Sequence, residues 1–258
     1  MTRASHRQAS NGAYGAAITG RRSEQQDSFR SVWLAGEQAW LLLVADGMGG
    51  HAAGEVASRI AADGFVAAFS TSRSRGASVN QALQRALDAA NEQIADHQDD
   101  APETDGMGTT LLAAHLGPQG LAWISVGDSP LWIFRNGAVH RLNEDHSMRA
   151  AAATGGDVNP NMLLSALDGS LVPFVDFKPK PLRTRHGDLA VLASDGLLTL
   201  SEAEISRTIE ENAGAGPEAV VRALLNAVED RRDPYQDNCT VIVAAPQATP
   251  SVSSSPSP

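Results

Sequence analysis

A succession of short apolar runs, each closed by turn residues, fills most of the chain and leaves few architectures open. The runs are Gly15–Thr19, Ser28–Leu34, Ala39–Ala45, Thr109–Leu116, Leu121–Val126, Leu131–Arg135, Leu171–Phe177, Leu189–Ala193 and Thr240–Ala244. Each has the length of a strand, and several are joined by hairpin-type turns. Asn136-Gly137, between Leu131–Phe134 and Ala138–Leu142, is the pair that accepts positive φ at both turn positions, so the strands are expected to be mostly antiparallel. Two pairs of helical patterns interrupt them. Ala53–Phe69 is followed, after a polar loop at Thr71–Ser78, by Val79–Ile94, where Val79, Leu83, Ala86, Leu87, Ala90 and Ile94 form one apolar stripe. Glu202–Glu211 and Pro217–Glu229 form the second pair, with Ser201 and Gly216-Pro217 as start signals. Helix pairs set between hairpins predict an α+β fold in which sheets are sandwiched between helical layers.

The 258 residues, 42% of them hydrophobic, suffice for one large core. No fixed-period repeat or long linker divides Gly12–Ala245, so residues 12–246 are expected to form one domain. Residues 247–258, rich in Ser and Pro, are expected to be a disordered tail, because they offer too little apolar area to offset the cost of ordering. With 20 basic against 30 acidic residues and a formal charge of −10, no nucleic-acid or anionic-membrane partner is expected. A single cysteine, Cys239, cannot form an internal disulfide. Arg3 and Arg7 precede Ala-Ser-Asn-Gly rather than an apolar signal region. The longest apolar stretch, Ala39–Ala45, is far below the roughly 18–20 residues that cross a bilayer. A soluble, cytoplasmic monomer is the expectation.

One local design recurs: an apolar strand runs into an aspartate that a small residue follows at once. It is found at Val44-Ala45-Asp46-Gly47, Val126-Gly127-Asp128-Ser129 and Ala193-Ser194-Asp195-Gly196, and Asp237-Asn238 lies just before the last strand. A strand end fixes the direction of a carboxylate, and a following glycine lets the backbone turn and offer its carbonyl as a further ligand. Oxygen donors of this kind suit Mg²⁺ or Mn²⁺ and suit Zn²⁺ or copper poorly. Asp-Gly alone is a common turn, and only the repetition on strand ends points to a metal site.

These residues fall in ordered motifs: Arg22-Ser23-Glu24-Gln25-Gln26-Asp27, Ala45-Asp46-Gly47-Met48-Gly49-Gly50-His51-Ala52-Ala53-Gly54-Glu55, Gly108-Thr109-Thr110, Val126-Gly127-Asp128-Ser129, Asp145-His146-Ser147, Ala193-Ser194-Asp195-Gly196 and Asp237-Asn238-Cys239-Thr240. In this order, over roughly Gly15–Ala245, the chain resembles the bacterial protein phosphatase 2C (PPM) family of metal-dependent serine/threonine phosphatases. The resemblance implies a four-layer αββα sandwich of two antiparallel sheets flanked by helix pairs, with a dinuclear Mn²⁺ or Mg²⁺ centre at one end and room for a third ion. It makes Asp46 the carboxylate bridging two ions, with the Gly47 carbonyl on one of them. Asp195 and Asp237 become ligands of the other, Asp128 joins Asp195 on a third, and Asp27 lies among metal-bound waters. Arg22 matches the phosphate-binding arginine, a role a guanidinium suits because it grips phosphate oxygens in a bidentate fork. The implied reaction is hydrolysis of phosphoserine and phosphothreonine in proteins by water activated between two cations. The implied partners are phosphorylated Ser/Thr proteins and a cognate Ser/Thr kinase.

The match has departures. Gln25 stands where the family commonly has Asn, Pro130 where an arginine is frequent, and Met48 where eukaryotic members carry a histidine. Ser147–Gly169 takes the place of the family's variable flap and looks shortened. His51 reads as helix-start structure and His146 as a loop-ordering residue. Thr109 and Thr110 read as strand packing, and Cys239 as a buried thiol. A pseudophosphatase or binding module with the same fold is the alternative, and it would normally have lost a core aspartate. A phosphohydrolase of small phosphoesters, or activity on phosphotyrosine or phosphoarginine, also stays open.

Overall fold

The computed structural model describes residues 8–10, 12–49 and 53–247. Of the expected tail only Gln247 is described; residues 248–258, Gly50 and His51 lie outside the described residues. The strands are β1 (Gln8–Ser10), β2 (Ala13–Ile18), β3 (Asp27–Leu34), β4 (Ala39–Met48), β5 (Gly108–Thr109), β6 (Leu111–Gly117), β7 (Gly120–Val126), β8 (Leu131–Arg135), β9 (Ala138–Arg141), β10 (Asp176–Phe177), β11 (Leu189–Ala193) and β12 (Cys239–Ala244). The helices are α1 (Ala53–Ser74), α2 (Val79–Asp100), α3 (Arg149–Ala153), α4 (Glu202–Asn212) and α5 (Pro217–Asp230).

The strands build two antiparallel sheets, one in the order β1-β2-β12-β11-β8-β9 and the other β10-β7-β6-β4-β3, with β5 paired to the end of β4. Between the sheets lies a core of Phe29, Trp40, Leu42, Val44, Leu112, Trp123, Leu131, Leu192 and Ile242. On the outer face of the second sheet, Leu41, Leu43, Leu111 and Ile124 meet Phe65 and Phe69 of α1 and Leu83 and Ile94 of α2. On the outer face of the first, Trp132, Val191 and Val241 meet Ile205 and Ile209 of α4 and Val221 and Leu224 of α5. The order is therefore helix, sheet, sheet, helix, as expected. It explains why Ala39–Ala45 of β4 is apolar without alternation: Leu41 and Leu43 face helices, while Leu42 and Val44 face the other sheet.

Local signals act as read. Asn136 and Gly137 take φ of 54° and 79° in the β8–β9 turn. Ser201 caps α4 in a reciprocal box with Glu204, and Pro217 opens α5 behind Gly216. Three expectations are corrected. The polar run from Thr71 continues α1 as far as Ser74, because Arg73 pairs with Glu37 at 2.9 Å and donates to the Ala77 carbonyl. The run Thr109–Leu116 is split at Thr110, whose N–H donates to the Asp46 carbonyl. Leu171–Phe177 pairs only at Asp176–Phe177, since Pro173 offers no N–H and Leu171 lies in solvent. No helix among the described residues is long and apolar enough to cross a membrane.

Candidate active site

The predicted acids meet at one end of the sandwich. Asp46 and Gly47 end β4, Asp27 begins β3 as the direct cross-strand partner of Asp46, Asp128 follows β7, Asp195 follows β11, and Asp237 precedes β12. Asp46, Gly47, Asp128, Asp195, Asp237 and Arg22 line one cleft of about 570 Å³, together with Gln26 and Asn238.

Backbone bonds hold these loops in place. The Asp46 N–H donates to Thr110 Oγ1 at 3.0 Å, and the Asp46 carbonyl accepts from the Thr110 N–H and from Thr109 Oγ1 at 2.8 and 2.9 Å. The two threonines thus fix the backbone of Asp46 as well as packing a strand. Asn238 joins the first motif to the last: its Oδ1 accepts from the Gln26 N–H at 2.7 Å, and its Nδ2 donates to the carbonyls of Thr19 and Glu24. Gln25, the departure from the family's Asn, bridges the Ile18 carbonyl and the Asp27 N–H. His146 Nδ1 accepts from the Gly127 N–H at 3.3 Å, which ties the loop after Asp145 to the residue before Asp128. Glycine is required after two of these aspartates by close approach alone. A Cβ at Gly47 would lie 2.0 Å from the Gly54 carbonyl oxygen, and one at Gly196 would lie 2.0 Å from that of Asn238.

Electrostatically the cleft is loaded with unbalanced negative charge. Burial pushes Asp27 up to about 7, against the pull of hydrogen bonds from Thr240 and Ser194. Burial likewise carries Asp128 up to about 7, with the charge of Asp195 adding to the rise. Asp46 is held well above the carboxylate range by burial and then by the charges of Asp27, Asp195, Asp128 and Asp237. Asp195 is raised by burial and by Asp237. Asp27 Oδ2 accepts from Ser194 and Thr240 hydroxyls at 2.7 Å each, while its Oδ1 is buried without a partner.

Two guanidinium groups enter this field. Arg22 Nη2 lies 2.6 Å from Asp237 Oδ2. Arg149, a residue the motif reading missed, places Nη2 3.4 Å from Asp128 Oδ2 and 3.6 Å from Asp195 Oδ2, with Nη1 3.7 Å from Asp145 Oδ2. The signal available for it was isolation: Arg149 is the one Arg or Lys between Leu142 and Phe177.

The donor set fits hard divalent cations. It is all oxygen, its acids carry raised proton affinities that a cation can replace, and Asp27 offers an oxygen with no protein partner. Among the described residues no three His, Cys, Asp or Glu side chains are grouped so as to hold a metal ion between them. Mg²⁺-type ions are commonly held by one or two carboxylates with several retained waters, so acids spaced around an open cleft suit them. Cys239 is free and buried among these groups, and burial holds its thiol well above the usual range.

A four-layer sandwich with an acidic, cation-suited cleft and an arginine beside its acids at one end has the make-up of a metal-dependent phosphohydrolase. The family profile of protein phosphatase 2C matches residues 14–236. The chain is 32% identical to the serine/threonine phosphatase stp of Listeria innocua over 191 residues, covering 67% of this chain and 75% of that protein. The crystal structure of the Mycobacterium tuberculosis serine/threonine phosphatase PstP/Ppp superposes with a TM-score of 0.73 at 28% identity, covering 92% of this chain and 100% of that one. A structure of the catalytic domain of the serine threonine protein phosphatase PstP in complex with two manganese ions superposes with a TM-score of 0.70 at 27% identity, over 92% and 99% of the two chains. The chain belongs to the protein phosphatase 2C family and is a protein phosphatase with metal-dependent catalysis.

Proposed function

We propose that this enzyme hydrolyses phosphoserine and phosphothreonine in proteins with two Mn²⁺ or Mg²⁺ ions, acting as a cytoplasmic monomer against a Ser/Thr kinase, and that residues 12–246 carry the activity. The observation that carries the reading is the convergence of Asp46, Asp128, Asp195 and Asp237 on one cleft with Arg22. In this reading Asp46 and the Gly47 carbonyl would hold the central ions together with Asp195 and Asp237, and Asp128 would serve a weaker third. When bound, the ions supply an activated water and neutralise phosphate charge.

The chain's own residues do the rest. Arg22, 60% exposed at its side chain and hydrogen-bonded to Asp237, can swing a planar fork onto two phosphoryl oxygens and hold the phosphorus toward the acids. Asp27, fixed by Ser194 and Thr240 and standing across the sheet from Asp46, keeps one oxygen without a protein partner, which would be available to order water. No side-chain nucleophile is required, and the buried Cys239 thiol is held in its unreactive protonated form.

The pseudophosphatase alternative draws no support, since every acid of the constellation is kept. The test is hydrolysis of a phosphothreonine peptide with Mn²⁺, with EDTA, and by Asp195→Ala. Turnover that needs Mn²⁺ and is lost in the variant supports the reading. A folded, Mn²⁺-loaded protein without turnover overturns it.

A further inference from the structure

The cleft has a second wall of different chemistry. Leu163, Leu164, Leu171 and Pro173 line the same void as Arg22 and Asp46. Leu164, Leu171 and the neighbouring Phe174 leave 42%, 88% and 52% of their surfaces in solvent. Scattered exposed leucines need no explanation, but large apolar side chains gathered on one short segment at the mouth of a polar cleft mark an interaction surface.

This wall is tied to the catalytic end. Ser165 Oγ donates to the Phe174 carbonyl at 2.8 Å and accepts from the Phe174 N–H at 3.1 Å, which pins the two halves of the segment side by side. Leu167 exchanges both backbone hydrogen bonds with Thr109 at 2.9 Å, and Thr109 Oγ1 in turn donates to the Asp46 carbonyl. Asn91 of α2 holds the Gly169 N–H and the Ser170 carbonyl. The apolar shelf therefore stands at a set distance from Asp46, and little ordering is required when something lies on it.

We propose that this shelf docks an apolar side chain adjacent to the phosphorylated residue, so that the enzyme selects phosphoproteins whose phosphosite is flanked by an aliphatic or aromatic residue. The inference rests on the phosphoprotein reading above and adds the sequence context of the substrate. Continuity decides the occupant: Leu164 and Leu171 line the cleft that Arg22 lines, so a chain whose phosphate reaches Arg22 has the shelf within reach of its neighbouring residues. An acidic neighbour would meet Asp168, which lines the cleft beside the shelf, and the carboxylates beyond it.

The experiment compares kcat/KM for phosphothreonine peptides that differ only in the flanking residues, Leu, Ser or Glu, with para-nitrophenyl phosphate as a substrate too small to reach the shelf. The Leu peptide is expected to exceed the Ser peptide by about tenfold, the scale of withdrawing one aliphatic side chain from water, with the difference in KM and the Glu peptide poorest. In the Leu171→Ser/Phe174→Ser variant the Leu-to-Ser ratio, normalised to para-nitrophenyl phosphate turnover, is expected to fall close to one. Equal rates for Leu and Ser peptides in the wild type, or a ratio that survives in the variant, overturns the inference and leaves the phosphatase reading intact. Hydrolysis of para-nitrophenyl phosphate with no peptide cleaved overturns both. A dimer in sedimentation that dissociates in the variant would assign the shelf to a second copy of the chain and overturn the substrate role.

Discussion

Asp27 and Asp46 stand directly opposite each other across β3 and β4, as Cα partners in one antiparallel register. Like charges at such a position destabilise a sheet, and here burial worsens the conflict for both carboxyls. The arrangement makes physical sense where protons or cations neutralise the pair.

It follows that Asp46→Asn removes repulsion together with function. The EDTA-treated variant is expected to melt at or above the wild-type temperature, and the rise in Tm on adding Mn²⁺ to shrink. Turnover of a phosphopeptide should fall by at least about a hundredfold, as when a group needed chiefly in the transition state is lost. A variant with wild-type Mn²⁺ stabilisation would remove Asp46 from the ligand set.

The metal-free protein should weaken as pH rises. Asp27 and Asp128 are pushed to about 7 from the ordinary aspartate value of 3.8, so between those limits the folded state holds more protons than the unfolded chain. These two groups therefore make stability decline from about pH 4 to about pH 7. Urea midpoints of EDTA-treated protein should be lower at pH 7.5 than at pH 5, and Mn²⁺ should reduce or reverse the difference by replacing protons. A midpoint that climbs over this range without metal would contradict the raised carboxyls.

Arg22→Ala tests the phosphate grip. Losing a charge-assisted contact of about 1.5–3 kcal/mol should lower kcat/KM roughly 10–150-fold. Because Arg22 also pairs with Asp237, Mn²⁺ affinity should stay the same or improve. Arg22→Lys should recover only part of the loss, since an ammonium is a point charge without a fork. Unchanged efficiency in Arg22→Ala would assign phosphate binding to another group, with neighbouring Arg21 the next to test.

Much of this was legible because the signals were local and redundant. Asn136-Gly137 and Ser201 with Glu204 each specify backbone geometry by themselves, and Asp-Gly at a strand end specifies where a carboxylate points. What escaped depended on tertiary contact. The strand expected over Leu171–Phe177 loses its pairing to Pro173 and to the Ser165 clamp, which no periodicity reports. The helix expected to stop before Thr71 gains its last turn from Glu37, distant in sequence. Arg149 lies outside every motif, and only the folded segment brings it to Asp128 and Asp195.

Gly196→Ala should be far more damaging than a surface Gly→Ala. A Cβ there would stand 2.0 Å from the Asn238 carbonyl oxygen, and that oxygen belongs to the loop carrying Asp237. Relief requires the Asp195 and Asp237 loops to part, so a destabilisation of about 1–3 kcal/mol or more is expected, with loss of Mn²⁺-dependent turnover. Gly214→Ala, where nothing lies within 4 Å, is the control and should leave Tm within a degree or two of wild type. Equal behaviour of the two variants would refute the close approach.

Arg149→Met separates charge from packing at the mouth of the cleft. The guanidinium sits between Asp128 and Asp195 at 3.4 and 3.6 Å, where a cation held by those two acids would also lie. Replacing it with an uncharged side chain of similar reach removes a countercharge and a competitor at once. The metal-free variant should melt lower, because Asp128 and Asp195 then face each other without relief. Mn²⁺ should bind about two- to fivefold more tightly, the scale of a partly exposed ion pair of about 0.2–1 kcal/mol. An electron paramagnetic resonance titration of free Mn²⁺ measures this without reference to turnover, and an affinity that stays the same or drops would show that Arg149 supports the acids rather than competing for them.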